Sequence, residues 1–311
     1  MTGRTFVVNA ILVVSSVLAG CQAQRQTTPI TSTTAPLTPV TPSTPVTSST
    51  VAFSHLTDDY WQIWTMRPDG SGAEQITISP SDKRYPVWSQ DGDKILFRTN
   101  NSEAFAIDLA KGNEERLLKT FGLIGSVAES LDGSELLFVR FRTDLMDDSD
   151  IWLKSSEGQE RRMLTDDKGL QYDPVWSPDG KKIAYISGHG YQMHDLHIME
   201  ANGENKRRLT NDKALELLPA ISPDGNTIAY VSDSTGNYEI YLMEVDGDKV
   251  IRLTRHDGID TRPCWSPDGA RIMFVSDRSG KLQLWIMGKE GGNPEMLTSG
   301  PPSIDPAWRK D

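Results

Sequence analysis

The sequence predicts an all-β fold, a six-bladed β-propeller with four antiparallel strands per blade. Three observations predict it. A block of about 45 residues recurs, and a repeat of that length built from short strands marks a propeller. It reads Pro174-Val175-Trp176-Ser177-Pro178-Asp179-Gly180, then Ile183 to Ser187, then Leu196 to Met199. The same order returns at Pro219 to Gly225, Ile228 to Ser232 and Ile240 to Met243, and again at Pro263 to Gly269, Ile272 to Ser276 and Leu284 to Met287. Second, Asp-Gly pairs at Asp91, Asp132, Asp179, Asp224 and Asp268 are 41, 47, 45 and 44 residues apart. Third, the two ends of the repeat array complement one another.

Each unit reads as four strands. Strand A is the Pro-x-Trp-Ser run, represented by Trp88, Trp176, Ile221 and Trp265, and an Asp-Gly hairpin turn follows it. Strand B is Ile-x-Tyr/Phe-x-Ser and strand C is Ile/Leu-Trp/Tyr-x-Met, both alternating apolar residues at the strand period of two. Strand D closes the unit at Gln75 to Thr77, Arg162 to Thr165, Arg208 to Thr210, Arg252 to Thr254 and Met296 to Thr298, with Arg116 to Leu118 a weaker copy. Ser126 to Ser130 lacks both Pro and Trp, yet Leu136 to Val139 follows on schedule, so a degenerate unit is counted there. The array opens near Val51 with strands B, C and D and ends with a lone strand A, Asp305 to Trp308. Placing that last strand in the first blade completes six sheets and leaves no long free edge.

The wording of the units, Trp-Ser-Pro-Asp-Gly-x-x-Ile-x-Phe/Tyr-x-Ser with Ile-Tyr-x-Met and Arg-x-Leu-Thr, closely resembles the TolB-type propeller repeat over roughly residues 51 to 309. Proteins of that family also carry an α/β domain ahead of the propeller, and the residues before Val51 predict none here. The same repeat forms the propeller of prolyl-oligopeptidase-like peptidases, and no hydrolase domain is expected after Trp308.

Residues 1–20 hold one charge, Arg4, and an apolar run from Phe6 to Leu18, which is the length of a signal-peptide core rather than a membrane span. The run ends in Leu18-Ala19-Gly20-Cys21, which resembles the bacterial lipobox. Cys21 is therefore the expected lipidation site, the alternative being an ordinary secretory signal with a chance cysteine. Residues 21–50 are nearly all Thr, Ser, Pro, Val and Gln and predict a disordered tether, which would reach from roughly 30 Å as a coil to about 90 Å if fully polyproline-like. The propeller is expected over residues 51–311. Gln22 replaces the Asp associated with inner-membrane retention, so an outer-membrane location is expected if the cell is Gram-negative.

The formal charge of −11 disfavours nucleic acid, and no basic cluster offers a second attachment to anionic lipid. Only two cysteines are present. Cys264 fills the small apolar slot held elsewhere by Val87, Val175, Ala220 and Ala307, as a buried inert thiol would.

The strand order places D–A and B–C loops on one face, here the first face, and the monotonous Asp-Gly turns on the other. At the centre of the first face, just before each strand A, the spacing places Arg84, Asp173, Leu218, Arg262 and Asp305. Arg84, Asp173, Arg262 and Asp305 are candidates for binding a polar ligand or a peptide end, or else for pairing with one another across blades. The Arg140 to Asp150 loop offers Asp144, Asp147, Asp148 and Asp150 as oxygen ligands, but lacks the Gly and Glu of an EF-hand and reads equally as a solvated acidic loop. His194 and His197, three apart on a strand, should face opposite ways. His55, His189 and His256 are placed in first-face loops, where some polysaccharide lyases with such propellers hold a metal through histidine. Neither a cofactor nor a metal is expected. Trp88, Trp176, Trp265 and Trp308 share one register, as do Trp64, Trp152 and Trp285, which marks them as packing between blades.

A lipid-anchored, non-enzymatic, monomeric propeller binding a protein or peptidoglycan-associated partner is the first expectation. The alternatives are a metal-dependent polysaccharide lyase or hydrolase acting at the tunnel mouth, and a sensor subunit of an envelope signalling complex.

Overall fold

The computed structural model describes residues 50–310 apart from 101, 120–122, 143–146, 157–160, 190–192 and 248. The expected signal peptide, Cys21, nearly all of the tether and Asp144 lie outside the described residues.

Among the described residues the fold is an all-β propeller of 24 strands, and five of the six four-strand runs follow one logic: an apolar strand, an Asp-Gly turn, two more apolar strands and an outer strand; in the first run the opening strand comes from the C-terminal end of the chain. The first sheet runs β24 (Ser303–Trp308), β1 (Val51–Thr57), β2 (Tyr60–Met66) and β3 (Glu74–Gln75). The C-terminal strand therefore does supply the strand missing at the start, with Val51 opposite Trp308. The second is β4 (Lys83–Trp88), β5 (Lys94–Thr99), β6 (Glu103–Asp108) and β7 (Glu114–Lys119). Next come β8 (Leu123–Glu129), β9 (Glu135–Phe141), β10 (Ser149–Ser155) and β11 (Arg161–Met163). They are followed by β12 (Leu170–Trp176), β13 (Lys182–Gly188), β14 (His194–Glu200) and β15 (Arg207–Arg208). The last two runs are β16 (Glu216–Ile221), β17 (Thr227–Ser232), β18 (Glu239–Glu244), β19 (Val250–Arg252) and β20 (Asp260–Trp265), β21 (Arg271–Ser276), β22 (Gln283–Gly288), β23 (Glu295–Met296).

One expectation is corrected. Six separate sheets were expected, but β8–β11 and β12–β15 share one eight-stranded sheet. The join is a single parallel pairing of Ser149 with Leu170. Ser149 makes it by donating its backbone N–H to Gly169 O (3.1 Å) and its hydroxyl to Gln171 O (3.0 Å), while accepting from Gln171 N (3.2 Å).

The Asp-Gly turns are near-identical. In each, a Ser hydroxyl donates to the Asp carboxylate, as Ser89 to Asp91 and Ser177 to Asp179 (both 2.6 Å), and the backbone N–H two residues past the Asp donates to it as well. Satisfying backbone donors with a short acidic side chain is why Asp suits this position. Indole groups join neighbouring units: Trp88 Nε1 donates to Ala307 O (3.0 Å) and Trp265 Nε1 to Ala220 O (3.1 Å), with both rings buried. These two tryptophans pack between units, as their shared register predicts.

A second repeated device was not legible as a motif. The Thr of strand D is bonded twice. Its oxygen accepts from a backbone N–H within strand C (Ile63, Ile151, Leu196, Ile240 and Leu284), and its hydroxyl donates to the buried side chain of the residue just before that N–H. The pairs are Thr77–Gln62 (2.8 Å), Thr165–Asp150 (3.1 Å), Thr210–Asp195 (3.4 Å), Thr254–Glu239 (2.5 Å) and Thr298–Gln283 (2.7 Å). A separation of 15 residues in every pair was the available signal.

Candidate functional site

Each innermost strand is broken by a bulge, and the bulges form the candidate site. The ladder skips between Arg84 and Val87, Ile124 and Ala128, Tyr172 and Val175, Leu217 and Ala220, and Thr261 and Cys264. In β24 it skips between Ile304 and Ala307. In five of the six the skipped pair ends in proline, which has no N–H to give the ladder. The residue before it turns to positive φ: Tyr85 (58°), Asp173 (49°), Leu218 (52°), Arg262 (54°) and Asp305 (55°), with Gly125 (67°) in the degenerate unit. A non-glycine residue held there costs of order 1 kcal/mol.

This register corrects the expected placement twice. The five expected residues lie inside the innermost strands, not just before them. The second unit contributes Tyr85 to the ring, while Arg84 stands one residue earlier, on the paired part of β4. Counting one residue back from the proline finds Tyr85. Gly125 escaped because its unit has no proline to count from.

The structure brings Arg84, Arg262 and Asp305 together. Arg84 Nε lies 2.7 Å and Arg262 Nη1 2.6 Å from the two oxygens of Asp305, which is 5% exposed. Ser54 Oγ (3.0 Å) and Tyr85 N (3.3 Å) also donate to that carboxylate. Burial pushes the Asp305 carboxyl up, but Arg262 and Arg84 outweigh it and bring it to about 2. Pairing across blades, one of the two expected readings of these residues, is thus what three of the four do.

Tyr85 is the hub. The guanidinium carbons of Arg84, Arg98 and Arg262 lie 5.1, 5.0 and 5.0 Å from its ring centroid, and Arg84 also covers Trp61 at 4.8 Å. Burial raises the phenol, but Arg262, Arg84 and Arg98 together leave it below its ordinary value. Arg98 had no signal in the repeat pattern, because it comes from β5 and reaches the site only through its cross-strand pairing with Arg84.

Asp173 stands apart from this salt-bridged group. Its Oδ2 accepts from Leu218 N (3.3 Å), and a side chain at Gly125 would meet its Oδ1 at 3.4 Å. Burial holds its carboxyl at about 6 against the pull of Arg262. Tyr85, Gly125, Asp173 and Leu218 are each partly exposed, whereas Arg262 and Asp305 are buried, so water reaches the ring from the former side.

The other candidates are differently placed. His55 lies within β1, not in a loop, and pairs with Ser303 Oγ (2.8 Å). His256 faces Asp277 (3.2 Å), and His189 is exposed. His194 meets Tyr172 OH (2.8 Å) while His197 packs on Tyr185, so the two diverge as the strand period requires. Asp150 is buried in β10 and ion-paired with Arg142, which also approaches Asp148 at 3.7 Å. Cys264 is half-buried, not fully buried as expected, and the burial it has raises its thiol to about 11.

Comparison with known proteins agrees with this architecture. A family model described as the TolB beta propeller domain matches residues 107–237 and 216–311. A protein TolB homolog of Chlorobium chlorochromatii (strain CaD3) is 30% identical over 129 residues, covering 40% of this chain and 28% of that relative. The matched stretch is thus less than a third of the relative's length. Among solved structures, TolB from Acinetobacter baumannii superposes with a TM-score of 0.75 at 21% identity, covering 85% of this chain and 67% of that one. An oligogalacturonate lyase in complex with manganese superposes with a TM-score of 0.60 at 15% identity, covering 80% and 73%. At these identities the superpositions speak for the fold alone; the family model, matching well over half of the sequence, shows that the chain belongs to the TolB beta propeller domain family.

Proposed function

We propose that this chain is a lipid-anchored, extracytoplasmic six-bladed propeller that binds a protein or peptidoglycan-associated partner of the cell envelope and performs no catalysis. In this reading residues 1–20 direct export, Cys21 is lipidated, residues 21–50 are the tether and residues 51–311 carry the binding surface. The six runs of four strands are the six blades, the third and fourth touching through Ser149. The ring at the tunnel mouth, with Arg84, Asp173, Arg262 and Asp305, is the recognition site.

One observation carries the binding reading. Six equivalent backbone positions share one unusual conformation but bear Tyr85, Gly125, Asp173, Leu218, Arg262 and Asp305. A scaffold needs the conformation; Arg262 and Asp305 pair across blades, and the variety at the partly exposed members Tyr85, Gly125, Asp173 and Leu218 supports recognition. Kinship with TolB proteins supports an envelope partner. Against catalysis stands the state of Asp305, which is locked between two guanidiniums and has no free proton to exchange near neutral pH.

Reversing charge on each face tests the surface. Arg255→Glu, at an exposed position of the connection leading into β20 on the first face, should weaken capture of envelope partners, whereas Lys181→Glu, in an Asp-Gly turn of the opposite face, should leave capture intact. The converse pattern would move the interface to the turns. Fractionation tests the anchor: Cys21→Ser should pass to the soluble fraction with its thermal melt unchanged, and retention at the membrane after a salt wash would remove the lipid anchor from the account.

A further inference from the structure

We propose that Glu216 is protonated in the folded chain and that its proton closes a hydrogen-bond chain from Glu216 through Thr210 to Asp195. This chain latches the fourth unit (β12–β15) to the fifth (β16–β19) and releases as pH rises above neutrality.

The first support is the count of hydrogens. Thr210 Oγ1 lies 3.4 Å from Asp195 Oδ1 and 3.4 Å from Glu216 Oε2, and it accepts from Leu196 N (2.9 Å). A hydroxyl has one hydrogen to give and two lone pairs. With both carboxylates ionised, one of them would face the hydroxyl oxygen with no hydrogen between. Arg208 Nη2, 2.7 Å from Asp195 Oδ2, holds Asp195 as its counter-ion. The missing hydrogen therefore belongs to Glu216, whose Oε2–H donates to Thr210 while Thr210 donates to Asp195. The other oxygen of Glu216 accepts from Ser232 Oγ (3.0 Å), so both oxygens of the neutral acid have partners.

The second support is a comparison among the joints. Three residues before the proline of each innermost strand that has one stand Lys83, Gln171, Glu216, Asp260 and Ser303, all buried. Together with the Thr-bonded side chains of strand C, they put the carboxylates of Asp150, Asp195, Glu216, Glu239 and Asp260 into the joints. Arg142, Arg208, Arg252 and Arg278 pair with the other four. Among the described residues no ion pair holds Glu216, which is 1% exposed. A buried carboxyl without a cation keeps its proton.

The surroundings act in the same direction. Burial, then the charges of Asp212 and Asp195, hold the Glu216 carboxyl at about 8 against the bonds from Ser232 and Thr210. Other titratable groups on the strands packed against β16 are engaged elsewhere: Tyr172 with His194, Asp173 with Leu218 N, Tyr185 with His197, Tyr230 with Tyr241, Asp260 with Arg278 and Arg262 with Asp305. Lys182, Glu200 and Cys264 lie towards the turn-face ends of their strands. Where the two units meet, His194 and Leu215 form a parallel bridge, and Asp233 accepts the N–H of Leu215 (2.8 Å). Asp195 and Glu216 are the next residues along, so ionising Glu216 sets two negative charges beside that bridge.

Amide exchange on the full chain tests this. Thr210 holds the Leu196 amide, and Thr254 holds the Ile240 amide in the next joint, where Glu239 has its arginine. The folded value of Glu216, about 8, lies above the unfolded one, so the closed joint loses ground as pH rises from about 4 to 8. Corrected for intrinsic rate, protection at Leu196 should fall at least about tenfold between pH 6 and pH 9, since each pH unit in that window is a factor of ten. Protection at Ile240 should not. Glu216→Gln, whose amide keeps a donor for Thr210 and an acceptor for Ser232, should hold Leu196 protection level across the range. Equal losses at Leu196 and Ile240, no loss at Leu196, or a variant as pH-dependent as the parent would each overturn the proposal. If the variant misfolds, carbon-13 labelling of the glutamate carboxyls in the parent decides. One should titrate with a midpoint near 8, and titration of all of them below about pH 6 would overturn the latch.

Discussion

The Asp-Gly turns and the bulges of the innermost strands are both repeated features, yet they repeat different things. In the turns backbone and side chains recur together: Ser, Asp and Gly satisfy one another's polar groups within a few residues. In the bulges only the backbone recurs, and the residue at positive φ changes from Tyr85 to Gly125 to Asp173. Polar atoms in the turns are used up locally. Those at the mouth bond across units, as Asp305 does with Arg84 and Arg262. A repeat protein can thus be divided by asking which positions repeat their chemistry and which repeat their conformation alone; the second kind is where individuality resides.

The largest predicted effect breaks the ring itself. Deleting Ser303 to Asp311 removes β24, and with it Ile304, Trp308 and the Asp305 carboxylate that joins β4 to β20. Loss of one buried aromatic side chain alone costs about 3–5 kcal/mol, comparable with the total stability of many domains. The truncated chain should lose its cooperative melt; a midpoint within a few degrees of the parent would show that the first sheet does not need its C-terminal strand.

Next in size is Asp305→Asn, which leaves Arg84 and Arg262 without their shared countercharge. Breaking a buried ion pair costs about 3–5 kcal/mol. Because the folded pKa of Asp305, about 2, lies below its unfolded value, its contribution is present above pH ~4 and is lost as pH falls towards 2. Melts of parent and variant should differ widely at pH 7 and converge by about pH 2. A gap independent of pH would mean that the ion pairs are not what holds the mouth. The same carboxylate exchanged in a turn, Asp268→Asn, should cost only about 1 kcal/mol, since a single local turn loses part of its bonding.

Smaller, and opposite in sign, is Asp173→Asn. Its folded pKa, about 6, is raised above the unfolded value, so the ionised form is disfavoured in the fold and stability falls as pH rises from about 4 to 6. Asparagine removes that cost. The variant should gain about 1–2 kcal/mol at pH 8, with solvent at the partly exposed side chain limiting the gain, and gain nothing at pH 4. A loss of stability at pH 8 would show that Asp173 supports the ring.

The architecture was legible because its signals are repeated: the Asp-Gly spacing and the apolar runs each occur several times, so one degenerate unit at Ser126 to Ser130 did not hide the pattern. The site was half legible. Asp173, Arg262 and Asp305 stand immediately before a proline and are placed at the centre, whereas Arg84 stands two residues before its proline and took the place of Tyr85. Arg98 could not be found along the chain, since cross-strand register alone carries it to Arg84. The eight-stranded sheet depends on a single serine pairing, which no local pattern encodes. The Thr–carboxylate or Thr–amide pairs were encoded, at a constant separation of 15 residues, but their partners vary among Gln, Asp and Glu and so form no word-like motif.

Site-directed photocrosslinking in intact cells tests most directly whether the variable face is the one that recognises a partner. A photoreactive residue would be placed at the exposed positions Lys213 and Arg255, in connections that lead into β16 and β20, and at Asp93 and Lys181 in the turns. Protein adducts from positions 213 and 255, with none from 93 and 181, are the predicted result. Adducts confined to positions 93 and 181 would contradict it, placing recognition on the face whose chemistry repeats.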